Sequence, residues 1–507
     1  MVAKAKKFYI TTAIDYPSGS PHLGHAYEKV CADAIARWHR LLGEDVFFLT
    51  GTDEHGLKIQ RAAERAGMKP KEFVDMQVKA FQKLCAAWNI SNSRFIRTTD
   101  ADHEKTAQDL FSRVVKKGDI YRGEYEGLYC AECENFYLTR ELEEGNCPVH
   151  KKKCEVVREE SYFFKMGNYY PQLLELYKKN KTFVLPAGKK LEMENRLKEG
   201  LKDLSVSRSS LKWGVPLPND KKHTMYVWFD ALTNYVSGAR VGAKAGAKGK
   251  NGGKAKNYWP ADIHIIGKDI LWFHSVIWPT MLFAGGIEPP KMVFVHGFIN
   301  TESGEKMSKS GGTVIDPLAL AEKYPVDALR YFLLRELPFG EDGNFSEAEL
   351  AKRINNELAN ELGNLLNRTL VMLGKYRGGK VPKGSTDAGL QKELELAKIE
   401  AHMQALELHL ALGEIFAFVK SCNAFINEKE PWKLAGKDEN ALDNVLYSLA
   451  DSLRIISILL SAFMPEASEK INSQLGVKAG TLADCKFGLL KAGTKVKKGA
   501  VLFAKIA

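Results

Sequence analysis

The stretch that most limits the fold is the run Phe8-Tyr9-Ile10-Thr11-Thr12-Ala13-Ile14 together with the turn and helix after it. Apolar and β-branched residues in an unbroken run read as a strand buried on both faces. Ser18, Gly19, Ser20 and Pro21 then supply turn and helix-start signals, and residues 26–38 carry helical apolar spacing. A strand that turns directly into a helix is one unit of a doubly wound parallel sheet, which binds ligands beyond the carboxyl ends of its strands. In the first turn of that helix lies Pro21-His22-Leu23-Gly24-His25. His22 and His25 share one helical face. Free N–H groups and the positive end of the helix dipole attract anions there, and Gly24 leaves room for a flat group. The reading is a phosphate site with two imidazole donors.

The pattern recurs. Asp45–Thr50 is a second buried strand, ending in the polar loop Gly51-Thr52-Asp53-Glu54-His55-Gly56. Phe95–Asp100 reads as a third strand and turn, and residues 102–117 as a helix. Ile263–Ile266 resumes the sheet and ends in Gly267-Lys268-Asp269, and Met292–Phe298 is another strand. After it comes Gly304-Glu305-Lys306-Met307-Ser308-Lys309-Ser310-Gly311-Gly312. A glycine-bracketed loop of this kind can close over phosphates, its lysines acting as compact point charges. Such loops are common, but this one comes after a strand of the same sheet. Met225–Asp230 is expected as a strand, and Trp228–Tyr235 either lines a small apolar pocket or fills core, as aromatics more often do. The helix 270–284 sets His274 among apolar neighbours, where a histidine is ordinarily core.

From about Gly118 the composition changes, and four of the chain's eight cysteines gather there. Cys130-x2-Cys133 and Cys147-x2-His150 are two chelating pairs joined by a short loop, the requirement of tetrahedral zinc. Four protein ligands leave no open coordination place, so the site reads as structural. Cys154 is a rival to His150 as fourth ligand. Cys31, Cys85, Cys422 and Cys485 are scattered in apolar contexts as buried thiols. Residues 237–256, built from Gly, Ala and Lys, read as a flexible surface loop.

Beyond residue 327 the spacing is helical, with amphipathic stretches at 350–373, 390–420 and 441–463. Asn364, Asn367, Arg368, Asn423 and Trp432 are residue types that read unstacked RNA bases, although on pattern alone helix caps and a core tryptophan are the better account. The tail, residues 487–506, pairs as a hairpin or packs back on the body. The divisions expected are 1–117 and 225–326 for the two sheet halves, 118–224 for the insertion, 327–349 for a linker, and 350–507 for the bundle.

With 45% hydrophobic and 27% charged residues the chain is globular, and its net charge of +11 suits a polyanionic partner. No run of about eighteen apolar residues occurs, so no membrane span is expected. The basic start, residues 1–7, lacks the apolar core of a signal peptide, which makes a cytoplasmic location the expectation.

Together these stretches resemble the class I aminoacyl-tRNA synthetases. Pro21-His22-Leu23-Gly24-His25 looks like their His-Ile-Gly-His signature, and Lys306-Met307-Ser308-Lys309-Ser310 matches their Lys-Met-Ser-Lys-Ser loop unchanged. Within the class the chain is similar to the methionyl-tRNA synthetases in Thr50–Gly56, Tyr226–Ala231 and Gly267–Ile270 with Phe273-His274, and in the knuckle, which resembles their one-zinc Cys3His subgroup. The resemblance covers the chain from about Lys7 onward. It implies an α/β fold: a Rossmann-like, doubly wound parallel sheet split by a zinc-knuckle insertion and followed by an α-helical bundle.

By matching position, His22, Gly24, His25, Lys306 and Lys309 would hold the ATP phosphates, His22, His25, Lys306 and Lys309 acting in catalysis. Asp53 would bind the methionine ammonium, within a pocket of Ala13, Ile14, Tyr16, Trp228, Ala231, Leu232, Tyr235, Ile270 and His274. Asn364, Arg368, Asn423 and Trp432 would read the anticodon, and Cys130, Cys133, Cys147 and His150 would hold one structural Zn2+. Mg2+ accompanies ATP. The partners implied are ATP, L-methionine and tRNA(Met), with no membrane, and the protein would be a monomer. Class I enzymes for leucine, isoleucine or valine are the alternative, but they carry an insertion much larger than residues 118–228. A non-catalytic RNA-binding relative is a second alternative, against which the intact histidines and lysines argue. Asp15 departs from the family, which has proline or an aromatic before that tyrosine. Its carboxylate would lie either near the substrate amino group or in solvent.

Overall fold

The computed structural model describes residues 5–137, 141–149, 151–241, 256–305 and 314–506. Among the described residues the central sheet has six parallel strands: β1 (Lys7–Thr12), β2 (Asp45–Thr52), β3 (Arg94–Arg97), β4 (Val184–Leu185), β5 (Ile263–Gly267) and β6 (Val293–His296), in the order β3-β2-β1-β5-β6-β4. Ile10 of β1 stands between Phe48 of β2 and Ile263 of β5. The order reverses between β1 and β5, which opens a crevice at their carboxyl ends. Every residue of β5 is buried, His264 included, so the strand shows no alternation of buried and exposed positions. Helix α1 (Leu23–Leu41) packs on the sheet through Leu23, Tyr27, Val30, Ile35 and Trp38.

A second, antiparallel sheet runs Asn135–Tyr137, Ile120–Cys130, Glu155–Phe164, Leu204–Ser205 in spatial order. Between its last two strands the chain returns to the central sheet to add β4 at the edge, flanked by the helices Tyr170–Lys179 and Ala187–Leu197.

Two expectations of secondary structure fail. Met225–Asp230 is not a strand. Thr224–Met225 pairs with Ser207–Arg208, and Val227–Leu232 is helical. A short run buried on all sides fits either state, and here Asp230 is drawn inward by His55 and His103. The helix expected over 390–420 is three: Ala388–Lys392, Leu396–Gln404 and Leu408–Lys429. Leu406 takes a left-handed φ of 61° between the last two, beside a 2.7 Å His402–Glu407 contact.

The rest of the bundle is the nearly continuous helical stretch 347–377, then Glu439–Leu460 and Pro465–Leu475. The tail packs back, burying Leu490, Leu502 and Phe503, and among the described residues forms a single bridge, Lys380 to Lys495, rather than a hairpin. The stretch Leu408–Leu434 is apolar and long enough to span a membrane, yet half of its most apolar window is buried inside the bundle. Arg330 ties the two parts together. Fully buried, it donates to Asp33 of α1 at 2.7 Å, to the Phe463 carbonyl at 2.8 Å and to the Trp88 carbonyl at 3.1 Å.

Candidate active site

The anion-binding end lies at the start of α1. His22 is the N-cap residue, in extended conformation. Its backbone N–H donates to His25 Nδ1 at 3.0 Å, and the two rings stack 3.7 Å apart. Phe81 stands edge-on to His25 at 5.4 Å. A Cβ on Gly24 would meet the His22 ring at 3.1 Å, so a larger residue would push the stacked pair. The Leu23 N–H donates to the Ile315 carbonyl at 3.1 Å, which tethers the chain just past the Lys-Met-Ser-Lys-Ser loop to the first turn of α1. Lys306 and Lys309 themselves lie outside the described residues.

The structure brings Ala13, Ile14, Tyr16, Asp53, Trp228, Ala231, Leu232, Tyr235, Ile270 and His274 into one cavity, together with Asn234, which carries no signal of its own in the sequence. Only its neighbours in the Trp228–Tyr235 run stand out there. The free space is ≈ 20 Å3, room for about one water, so a ligand enters only as side chains shift. Trp228 stacks on Phe273 at 3.8 Å. His274 Nδ1 faces the Ile270 carbonyl at 3.0 Å and its Nε2 the Tyr235 hydroxyl at 2.7 Å. A carbonyl only accepts, so Nδ1 carries the proton and Tyr235 donates to Nε2. Burial pushes the His274 pKa down to about 4, which keeps the ring neutral.

Asp15 does not point to solvent. Ile14 and Tyr16 turn into the cavity, and Asp15 between them turns the other way, toward α1. It is buried, accepts from Lys29 Nζ at 2.5 Å and lies 3.9 Å from His25 Nε2.

Two buried acids flank this cavity in opposite conditions. For Asp230, burial works against the carboxylate, but His55 and His103, each at 2.7 Å, outweigh it and hold the pKa at about 2. For Asp53, burial above all, then the nearby carboxylates of Asp230 and Glu134, lifts the pKa well above the ordinary value. The Tyr16 hydroxyl and the His55 backbone N–H only soften that rise. Asp53 Oδ1 and Tyr16 Oη are buried without a well-formed hydrogen bond among the described residues. A buried carboxylate oxygen so placed demands a cation.

At the knuckle, the Sγ atoms of Cys130, Cys133 and Cys147 lie within 4.8 Å of one another. A hydrogen bond with Cys130, and burial, push the Cys133 thiol up. Thiols this crowded ionise together when a metal binds them, and the donor set fits zinc. Cys154 packs in the same buried cluster, its pKa pushed up to about 11 by burial and by Cys130 and Cys147. His150 lies outside the described residues. The knuckle touches the cavity wall directly: Trp228 Nε1 donates to the Cys133 carbonyl at 3.3 Å, and the Tyr226 hydroxyl to the Glu134 carbonyl at 2.7 Å.

In the bundle, Trp432 is 47% exposed, an aromatic face open to solvent. Arg368 donates to Asn427 at 2.8 Å, and Asn364 lines a cavity of ≈ 510 Å3 with Asn360, Asn367, Gln474 and residues 498–502 of the tail. Asn423 is buried, its amide donating to the carbonyl and the carboxylate of Glu361 at 3.1 and 3.0 Å, while its Oδ1 has no hydrogen-bond partner among the described residues.

The family model for class I (M) tRNA synthetases matches residues 8–155 and 139–370, and that for the anticodon-binding domain of methionyl tRNA ligase matches 378–507. The methionine–tRNA ligase of Caldanaerobacter subterraneus subsp. tengcongensis is 49% identical over 512 residues, 99% of this chain and 79% of its own length. That of Brucella suis is 43% identical, covering 99% of this chain and 98% of its own. The structure of Mycobacterium tuberculosis methionyl-tRNA synthetase in complex with methionyl-adenylate aligns over 98% of this chain and 99% of that one, with a TM-score of 0.92 and 41% identity. These matches set aside the class I enzymes for other apolar amino acids. With sheet and bundle both matched, and relatives aligned along almost the whole length, the chain belongs to the class I methionyl-tRNA synthetases, the methionine–tRNA ligases.

Proposed function

We propose that the cavity and the first turn of α1 are two ends of one active site, in which L-methionine reacts with ATP. The observation that carries this is the unsatisfied Asp53 oxygen, the one carboxylate in a cavity lined mostly by apolar and aromatic side chains. Asp53 takes the ammonium, and Ala13, Ile14, Tyr16, Trp228, Ala231, Leu232, Tyr235, Ile270 and His274 enclose the thioether. His22, His25 and the N–H groups around Gly24 hold the phosphates, and Lys306 and Lys309 close on them.

The methionine carboxylate attacks the α-phosphorus and expels pyrophosphate. It is ionised at neutral pH, so no general base is needed. Catalysis is alignment plus stabilisation of charge building on the phosphate oxygens. Mg2+ accompanying ATP would supply further charge neutralisation. The 2′-hydroxyl of the terminal adenosine of tRNA(Met) then attacks the adenylate, while Asn364, Arg368 and Trp432 read the anticodon. The methionyl-adenylate held by the Mycobacterium relative is the intermediate of this scheme.

Cys130, Cys133 and Cys147, with His150 as the fourth ligand and Cys154 its rival, would hold one structural Zn2+ that cross-links the knuckle and takes no part in the chemistry. We read the enzyme as a cytoplasmic monomer, and sedimentation at any mass but that of one chain would overturn the monomer. Methionine-dependent exchange of pyrophosphate into ATP is the deciding assay. Exchange that needs methionine supports the scheme, and its absence from folded protein ends it.

A further inference from the structure

Asp15 and Lys29 have no part in that chemistry, yet they touch its phosphate end from beneath. Asp15 is fixed by its backbone, its N–H donating to the Gly51 carbonyl at 3.0 Å and its carbonyl accepting from the Asp53 N–H at 2.8 Å. Its side chain therefore projects from a rigid junction of β1 and β2. Lys29 stands one helical turn beyond His25, on the same face of α1. The two carboxylate oxygens of Asp15 divide between them: Oδ2 accepts from Lys29 Nζ at 2.5 Å, and Oδ1 lies 3.9 Å from His25 Nε2. The Lys29 side chain is fully buried. Burial works against its ammonium, but the carboxylates of Asp15 and Glu28 outweigh it and hold the pKa above the ordinary lysine value.

The imidazole chemistry gives this arrangement a direction. His25 Nδ1 accepts the His22 backbone N–H, so the proton of a neutral His25 ring sits on Nε2. That is the atom Asp15 faces. At 3.9 Å, beyond hydrogen-bond length, the carboxylate acts on Nε2 through its field alone: it favours the Nε2–H form of the ring without accepting that proton, as an Nε2–H donor to a phosphate oxygen requires. Alone, the same carboxylate would repel the phosphate it helps to bind. Lys29 cancels its charge through the other carboxylate oxygen. Of the other groups packed here, Glu28 pairs with His296 of β6 through one oxygen at 2.9 Å and adds its charge to that of Asp15 on Lys29, His22 brings a second imidazole toward Asp15, and the helix Pro70–Ala87 brings the Phe81 ring and the buried thiol of Cys85.

We propose that Asp15 and Lys29 are a charge-compensated pair of positioning residues for ATP: Asp15 favours the Nε2–H form of His25, and Lys29 keeps Asp15 from repelling the incoming phosphates. The proposal rests on the reading that His25 meets the phosphates.

The test is pyrophosphate exchange by the full chain, with KM for ATP and for methionine measured separately, in wild type, Lys29→Met, Asp15→Asn, the double variant and Lys29→Arg. Lys29→Met leaves a buried carboxylate uncompensated, so KM for ATP should rise roughly tenfold or more while KM for methionine stays within about twofold. Removing the carboxylate as well should bring KM for ATP back to within about threefold of wild type, since breaking one partner costs more than removing both. Asp15→Asn alone should lower kcat about fivefold, since His25 loses the field that favours Nε2–H, without raising KM for ATP. Lys29→Arg keeps the charge and should retain the wild-type KM for ATP.

A double variant no better than Lys29→Met, or a methionine KM rising in step with that for ATP, would make the pair merely structural and overturn the proposal. So would a Lys29→Met enzyme with wild-type KM for ATP. If Lys29→Met does not fold, the double variant decides against wild type, because a tenfold higher KM for ATP in it contradicts compensation. Failure of the underlying reading looks different: wild type itself would then show no methionine-dependent exchange.

Discussion

The crevice at the carboxyl edge of the sheet and the outer face of the bundle use polar and aromatic side chains in opposite surroundings. In the crevice, Asp53, Asp230, His274 and Tyr235 are nearly sealed from water, and each is either tightly satisfied, as Asp230 is, or left with an open demand, as Asp53 is. On the bundle, Trp432 is about half exposed and Asn364 is exposed. Charge is worth several times more where water is excluded. The crevice therefore concentrates its work in a few groups whose loss is severe, and the bundle offers a surface whose contacts are individually modest.

That contrast is sharpened first by Lys309→Ala. It should slow adenylate formation roughly 100- to 1,000-fold while leaving methionine binding nearly intact, the scale of losing one preorganised charge donor. Normal pyrophosphate exchange in this variant would remove the loop from the chemistry. Next comes Asp53→Asn, which should raise KM for methionine roughly 10- to 100-fold, since it removes a charge-assisted contact in a buried site. The same variant should lose no stability at neutral pH. Because the folded pKa of Asp53 is raised, the folded protein holds a proton that the unfolded chain has released, and stability falls as pH rises from the ordinary carboxylate range toward that pKa. Urea midpoints at pH 7 that drop sharply on Asp53→Asn would show the carboxylate to be part of the frame.

Asp230 should behave in the opposite way. Its pKa falls from 3.8 to about 2 on folding, so its charge contributes about 2 kcal/mol above pH 4. That contribution is lost as pH falls toward the folded pKa. Asp230→Asn should therefore lower the urea midpoint at pH 7, and the gap to wild type should narrow as the pH is taken below 4. A gap independent of pH would assign the cost to packing instead of charge.

The fold is legible in the sequence where local signals and tertiary fate agree. β1, the turn before His22 and α1 can be read because a doubly covered strand is apolar throughout and the turn residues declare themselves. What cannot be read depends on partners far along the chain. Val227–Leu232 has the look of a strand because nothing local says that Asp230 will bridge His55 and His103, 175 and 127 residues away. The burial of Asp15 could not be read either, because its partner Lys29 meets it only once β1 and α1 are docked. Arg330 carries the joint between sheet and bundle through Asp33, 297 residues away, and no pattern flags it. Asn423 and Asn364 are the same residue type, and that one is buried and the other exposed is decided by packing, not by local pattern.

The last prediction tests the bundle side of the contrast. Trp432→Ala should weaken aminoacylation of tRNA about tenfold to a hundredfold, the worth of one base stacked on an aromatic ring, and leave pyrophosphate exchange untouched. Trp432→Phe should keep much of the stacking and fall between. The ring is 47% exposed, so its removal opens no large cavity in the core and the fold should tolerate it. If exchange fell in step with aminoacylation, Trp432 would be acting on the crevice through the fold, and the division of labour between a buried chemical site and an exposed reading surface would fail at the residue best placed to display it.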